Sequence, residues 1–274
     1  MSEGVSAVLD CNRYVDEVLA VQPQRPYYEL ARQPAVATAS PATHRAGIAA
    51  LLDRKLAPLR GLMIPEYLLA RHAQEHERLR NDLTTQPDEY YRVGNDSMVK
   101  DLGIASGHLL GLIWMTVERS GVPRSWMLRG GLARLPGNLA AVVRAGGFTG
   151  FLEVHLHDRG ARLTESTWFN SLVGCAAIMR ANPGIRGHMA NAWLFDPAIE
   201  TVAPHLSYLR KFPLAGAARF VNMGSSEQII ALALKASKQR RALYEQGKFH
   251  PRSFSYIWPR ARLLRWADTA ASPE

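Results

Sequence analysis

A chain of 274 residues, 47% of them hydrophobic, can bury a substantial core, which excludes a disordered polypeptide. Lys and Arg number 33 against 24 Asp and Glu, a formal charge of +9, so the surface favours anionic partners: nucleic acid, nucleotide-bearing cofactors, an acidic carrier protein or anionic lipid. The two cysteines, Cys11 and Cys175, form no CxxC pair, which argues against a disulfide framework and a thiolate metal site. Met1 to Ala20 carries acidic residues and no long apolar run, and the apolar stretch Leu109 to Val117 is far shorter than a membrane span. A cytoplasmic protein without a membrane span is expected.

Residues 1–20 read as one short amphipathic helix (Val8, Val15, Val18, Leu19), and Gln22 to Thr43 carries four prolines among Ala, Gln, Thr and Ser. The expectation is an N-terminal arm or linker over 1–43, partly flexible, followed by a single α/β catalytic or ligand-binding domain over 44–268. Thr43 to Leu59 has a helical pattern interrupted by Pro58, and Pro65 starts a helix from Glu66 to Leu83 with Leu68, His72, His76, Leu79 and Leu83 on one stripe. Asp88 to Val93 and Met98 to Leu102 read as short strand or loop pieces around the turn signal Gly94-Asn95-Asp96. Leu109 to Glu118 is an apolar run consistent with a central strand or a buried helix. Leu135 to Arg144 reads as a helix closed by Gly146-Gly147.

A strand through Val154 to His157 follows. Thr164 is the N-cap of a helix from Glu165 to Ala181, ended by Asn182-Pro183-Gly184. His188 to Phe195 is a strand, Asp196-Pro197 starts a helix to Leu209, and Ala217 to Met223 is another strand. Ser225-Ser226-Glu227 opens a helix from Gln228 to Gln246, and Phe254 to Trp258 adds an edge strand before a short basic helix to Ala267.

The chemistry concentrates in Gly150-Phe-Leu-Glu-Val-His-Leu-His-Asp158. Side chains alternate along a strand, so Glu153, His155 and His157 share one face, and Arg159-Gly160-Ala161-Arg162 follows in the strand-to-helix loop where ligand sites are favoured. Two imidazoles on one face, with His188 or His205, supply three nitrogens to iron, zinc or manganese. The iron triad of 2-oxoglutarate oxygenases has a similar His-x-Asp/Glu pattern, although the third position here is His157. The competing reading has one histidine hydrogen-bonded in the core and the other lining a groove. A second cluster, His72-Ala-Gln-Glu75-His76, spells the HxxEH of inverted zinc peptidases, against a helix face whose histidines meet the core edge.

The order strand 148–157, loop 158–163, helix 164–181, strand 188–195, helix 197–209 and strand 217–223 resembles the second half of GNAT-type N-acyltransferases. That resemblance implies an α+β fold, a central mixed β-sheet flanked by helices and GNAT-like in its second half. It implies that an acyl thioester lies along Phe151 to His157, with its phosphates cradled by Arg159, Gly160, Arg162 and Thr164. The loop carries a single glycine where the family has Gln/Arg-x-x-Gly-x-Gly/Ala, and the variant that accepts acyl groups from an acyl carrier protein, as acyl-homoserine-lactone synthases do, needs less of that cradle. The expected activity is transfer of an acyl group from acyl-CoA or an acyl carrier protein to a small amine, with no tightly bound cofactor. His155 or His157, or Glu153 through a water, takes the amine's proton, a histidine having a reference pKa of about 6.5. Competing readings are a non-haem iron oxygenase using His155, His157 and His188, and a noncatalytic module for an anionic ligand. Nucleic acid fits the charge but is not favoured.

Overall fold

The computed structural model describes residues 2–112, 115–129, 131–156 and 163–271, with side chains from Asp10 onward. The chain forms two compact units, residues 1–120 with 155–162, and residues 121–154 with 163–274.

The first unit is built from helices α1 (Ser2–Ala20), α2 (Pro34–Ala37), α3 (Pro41–Asp53), α4 (Glu66–Thr85) and α5 (Asp96–Ala105). They enclose Tyr14, Val15, Val18, Leu30, Val36, Ile48, Leu51, Leu52, Leu102 and Ile104. The segment expected as an arm is thus part of a core, which corrects the division at residue 43. The prolines explain it. Pro26 precedes a 3-10 turn over Tyr27–Arg32, and Pro34 and Pro41 begin α2 and α3, where a missing N–H leaves no intrahelical bond unmade. A proline-rich stretch therefore becomes a series of helix starts. Gly47 lets α3 approach α1 closely, since a Cβ there would stand 2.4 Å from the Tyr14 ring.

Two local expectations also change. Asn95 accepts from the Ser97 amide as the cap of α5, so the turn signal before Met98 marks a helix start. The apolar run from Leu109 folds back on itself as antiparallel strands β1 (Leu109–Gly111) and β2 (Met115–Gly121), with Leu109 opposite Glu118.

The second unit carries a mixed sheet. Strand β3 (Thr149–Leu156, of which residues from His155 belong to the first unit) pairs in parallel with β4 (Gly187–Ala192). Strand β4 pairs antiparallel with β6 (Ser253–Pro259), which pairs antiparallel with β5 (Arg219–Gly224). The expected edge strand at 254–258 is therefore interior, as its buried Tyr256-Ile257-Trp258 run demands. Helix α6 (Leu135–Arg144) covers one sheet face, where Ala141 and Val142 cluster with Phe151, Met189, Val221 and Ile257. Helices α7 (Glu165–Ala181) and α12 (Arg260–Ala271) accompany the other, where Trp258 meets Trp266 at 5.1 Å and Trp266 meets Phe169 at 5.5 Å. Between them in the chain stand α8 (Ile199–Val202), α9 (Tyr208–Ala215), α10 (Glu227–Leu234) and α11 (Lys238–Glu245). The helix expected over 228–246 is split because Ser237 caps a new start, accepting from the Arg240 amide. The α+β class with a mixed sheet and flanking helices is as expected. Among the described residues no helix is long and apolar enough to cross a membrane.

Candidate functional site

In the first unit, three distant stretches of chain place a histidine against a buried carboxylate. Strand β2 brings Glu118, whose side chain is only 3% exposed, and the end of β3 brings His155, whose side chain is 19% exposed; Nε2 lies 2.8 Å from Glu118 Oε1. The other oxygen, Oε2, accepts the backbone amide of Tyr27 at 2.9 Å, so a carboxylate withdrawn from water has both oxygens satisfied. An ionised carboxylate only accepts, so Nε2 is the donor in this pair. The Tyr27 ring meets the imidazole edge-on at a centroid distance of 5.0 Å.

The arrangement is braced further by α5. Tyr27 Oη donates to Asp96 Oδ1 at 2.6 Å, Lys100 Nζ reaches Asp96 Oδ2 at 2.6 Å one turn along, and the same ammonium donates to the Leu156 carbonyl at 2.8 Å. Burial opposes the charge of Asp96, but Lys100 and the Tyr27 hydroxyl outweigh it and hold the carboxyl below its usual range. Asp96 also stands in the first turn of α5, where the helix dipole favours an anion. A buried lysine thus pins the backbone immediately after His155.

Glu153 stands two residues before His155 with the same side-chain parity, half-buried and in register with Met189. His188 behaves differently. It pairs with Leu152, so it projects from the opposite face of the second unit's sheet to Glu153. It is fully buried, stacked on Tyr256, whose hydroxyl lies 3.1 Å from Nδ1, and burial pushes its pKa down to about 3. It is a core histidine, and the described residues do not bring it to the face of Glu153. His205 lies in a 3-10 turn, Pro204–Leu206. His157, Arg159, Gly160 and Arg162 lie outside the described residues.

Thr164 caps α7 as expected. Its hydroxyl accepts the Thr167 amide at 3.2 Å while its own amide donates to Thr167 Oγ1 at 2.9 Å, a reciprocal capping box. The hydroxyl is thereby committed to the helix start. Glu165, an acid that would repel an anion there, is ion-paired with Lys211 at 3.1 Å.

The histidines of α4 join a structural array. His72 Nδ1 accepts the Gly111 amide at 3.1 Å, and burial, with His76 alongside, pushes its pKa down to about 3. Glu75 accepts from Arg78 at 2.8 Å, and the same guanidinium reaches Asp82 at 2.6 Å and Asp101 at 3.0 Å. The HxxEH pattern is here a core edge with an ion-pair network.

Glu118 and Tyr27 are the residues that sequence reading missed. Glu118 had a signal, an acid ending a run of apolar residues, since a carboxylate in such a run must find partners. Tyr27 had none, because its contribution is a backbone amide from a residue distant in sequence.

No protein-family model and no curated protein matches the chain. Among solved structures it is similar to an acyltransferase in complex with decanoyl-CoA, with a TM-score of 0.51 and 15% sequence identity, over 90% of this chain and 75% of that one. At this identity the likeness is one of fold alone: the chain shares the fold of that solved structure.

Proposed function

We propose that this protein is an N-acyltransferase that moves an acyl group from a thioester, acyl-CoA or an acyl-loaded carrier protein, to a small amine. The observation that carries the reading is the Glu118–His155 pair in a chain whose fold is that of an acyltransferase solved with decanoyl-CoA. A histidine held by a buried carboxylate has its ring orientation and tautomer set, which is what a general base requires. In the reaction the amine nitrogen attacks the thioester carbonyl and His155 takes the proton that the nitrogen sheds. The tetrahedral intermediate collapses with cleavage of the C–S bond, and the proton passes to the departing thiolate, leaving an amide and a free thiol.

The donor's phosphates are assigned to the start of α7. The capping box uses the Thr164 and Thr167 amides, so those of Glu165 and Ser166 are the ones this helix end offers; Arg159, Gly160 and Arg162 precede it in sequence. The Lys211 ammonium beside Glu165 lessens the repulsion an anion would meet there. A thioester donor and two free cysteines, Cys11 and Cys175, support a reducing, cytoplasmic setting.

The test is release of free thiol from decanoyl-CoA and from an acyl-loaded carrier protein in the presence of a panel of amino acids and polyamines, with the amide product identified by mass. Amine-dependent thiol release that falls on the order of 10²-fold or more in His155→Gln supports the reading. No amine-dependent release from either donor overturns it, and unchanged turnover in His155→Gln removes His155 from the reaction.

A further inference from the structure

Between Glu118 and Glu153 the chain has no acidic residue, while arginine stands at 119, 124, 129, 134 and 144. In the second unit this stretch leaves aliphatic side chains in solvent: Leu128 is 61% exposed, Leu132 77%, Leu139 47% and Val143 66%. They are not a ragged core edge, because Trp126, Met127, Ala141, Val142 and Ala145 of the same stretch are buried in the apolar cluster with Phe151 and Ile257. The segment has one apolar side that the fold uses and another that it does not. Leu139 and Val143 lie one turn apart on α6 and so stand side by side. Exposed apolar surface of this kind, bordered by charge, marks an interaction site more often than chance.

The arginines are interleaved with these residues. Arg124 and Arg129 bracket Leu128, Arg134 follows Leu132, and Arg144 follows Val143. Where α6 ends, Arg144 lines an open cleft of about 260 Å³ together with Arg186 and Arg260, and no carboxylate is among its lining residues. Arg186 donates to the Gly146 carbonyl, and Arg260 to the carbonyls of Met179, Asn182 and Ile185. These bonds hold two guanidiniums in place through neutral carbonyls rather than carboxylates.

We propose that this face of the second unit docks on an anionic phospholipid bilayer, the aliphatic side chains entering the headgroup boundary and the arginines taking lipid phosphates. The chemistry follows from the two residue types together, since a planar guanidinium matches phosphate oxygens and aliphatic chains add affinity only where hydrocarbon receives them. Side chains as exposed as Leu132 and Val143 stand clear of the surface. A bilayer accepts them without a matching shape, whereas a protein partner needs a pocket for each. The inference is independent of the acyl-transfer reading and survives its failure.

The experiment is co-sedimentation of the full chain with vesicles of phosphatidylcholine alone and of phosphatidylcholine mixed with phosphatidylglycerol, at low and high salt. Binding to the mixed vesicles should exceed binding to the neutral ones by about 10-fold or more and weaken as salt rises. Leu132→Gln with Val143→Gln, and separately Arg134→Gln with Arg144→Gln, should each weaken it by about 10-fold with circular dichroism unchanged. If either double variant fails to fold, the single Leu132→Gln is read in its place. No sedimentation with the mixed vesicles overturns the proposal, as does binding that the aliphatic substitutions leave intact. Release by inorganic phosphate at constant ionic strength, or capture by an acidic acyl carrier protein in place of vesicles, overturns it in favour of a free phosphate site or a protein partner.

Discussion

His155 and His188 are both strand histidines, and their surroundings make them opposites. In the first unit, His155 is partly exposed, held by a buried carboxylate and braced through Tyr27, Asp96 and Lys100. In the second, His188 is sealed among aromatic rings with a phenol as its partner, and its pKa of about 3 keeps it neutral at any physiological pH. Proton transfer requires a group that can change charge where it stands, and a fully desolvated imidazole without a counter-charge cannot. The same residue type therefore serves as a candidate base in one region and as packing in the other, and the neighbours decide which.

The largest expected effect tests the first half of that contrast. His155→Gln keeps a hydrogen-bond donor for Glu118 and should lower acyl transfer on the order of 10²- to 10⁴-fold while the melting temperature moves little. His155→Ala, by contrast, leaves a buried carboxylate partly unpaired and should cost about 3 kcal/mol or more of stability in denaturant titration. Equal stability of the two variants would show that Glu118 does not depend on its partner.

His188→Ala should do the reverse. It opens a cavity and strands the Tyr256 hydroxyl, at a cost of about 2–4 kcal/mol, with turnover per folded molecule unchanged. Loss of turnover at full stability would put His188 in the reaction and end the contrast.

A third measurement reads the buried histidines through acid. His44, His72 and His188 have pKa values pushed down by burial, to about 4, about 3 and about 3. The unfolded chain therefore binds protons that the folded chain refuses. The stability they confer is present above about pH 6.5 and is lost as pH falls toward the folded values, by about 1.4 kcal/mol per histidine at pH 5.5. Denaturant titrations across that range check it, and His188→Asn should lessen the slope by one proton's share. A flat profile would mean that these rings are protonated in the folded state.

The smallest expected effect belongs to the brace. Tyr27→Phe removes the hydrogen bond to Asp96 but keeps the backbone amide on Glu118, so it should cost about 1 kcal/mol of stability and leave turnover within a few-fold of the parent. A loss as large as that of His155→Gln would show that the brace is as necessary as the base.

Much of the local structure was legible along the chain because its causes are local. The strand through Val154, the Thr164 cap of α7, the helix at 135–144 and the glycines that close it all follow from side-chain period and from capping chemistry within a few residues. The same local reasoning misread the proline-rich start as an arm and Asn95 as a turn, since a helix start and a linker share their residue types. It also placed 254–258 at an edge, although a strand's position in a sheet depends on partners far away in sequence.

By itself the sequence determined that Glu153 and His155 share one strand face, that a helix begins at Glu165 after a capping threonine, and that a basic stretch without acids separates Glu118 from Glu153. Only the tertiary structure decided that Glu118 is the partner of His155, that Tyr27 completes it, and that His188 is sealed in a core. The physical reason is range: alternation and capping act over a few bonds, whereas a buried carboxylate's second hydrogen bond, like the desolvation of an imidazole, is set by whichever distant segments the packing brings alongside.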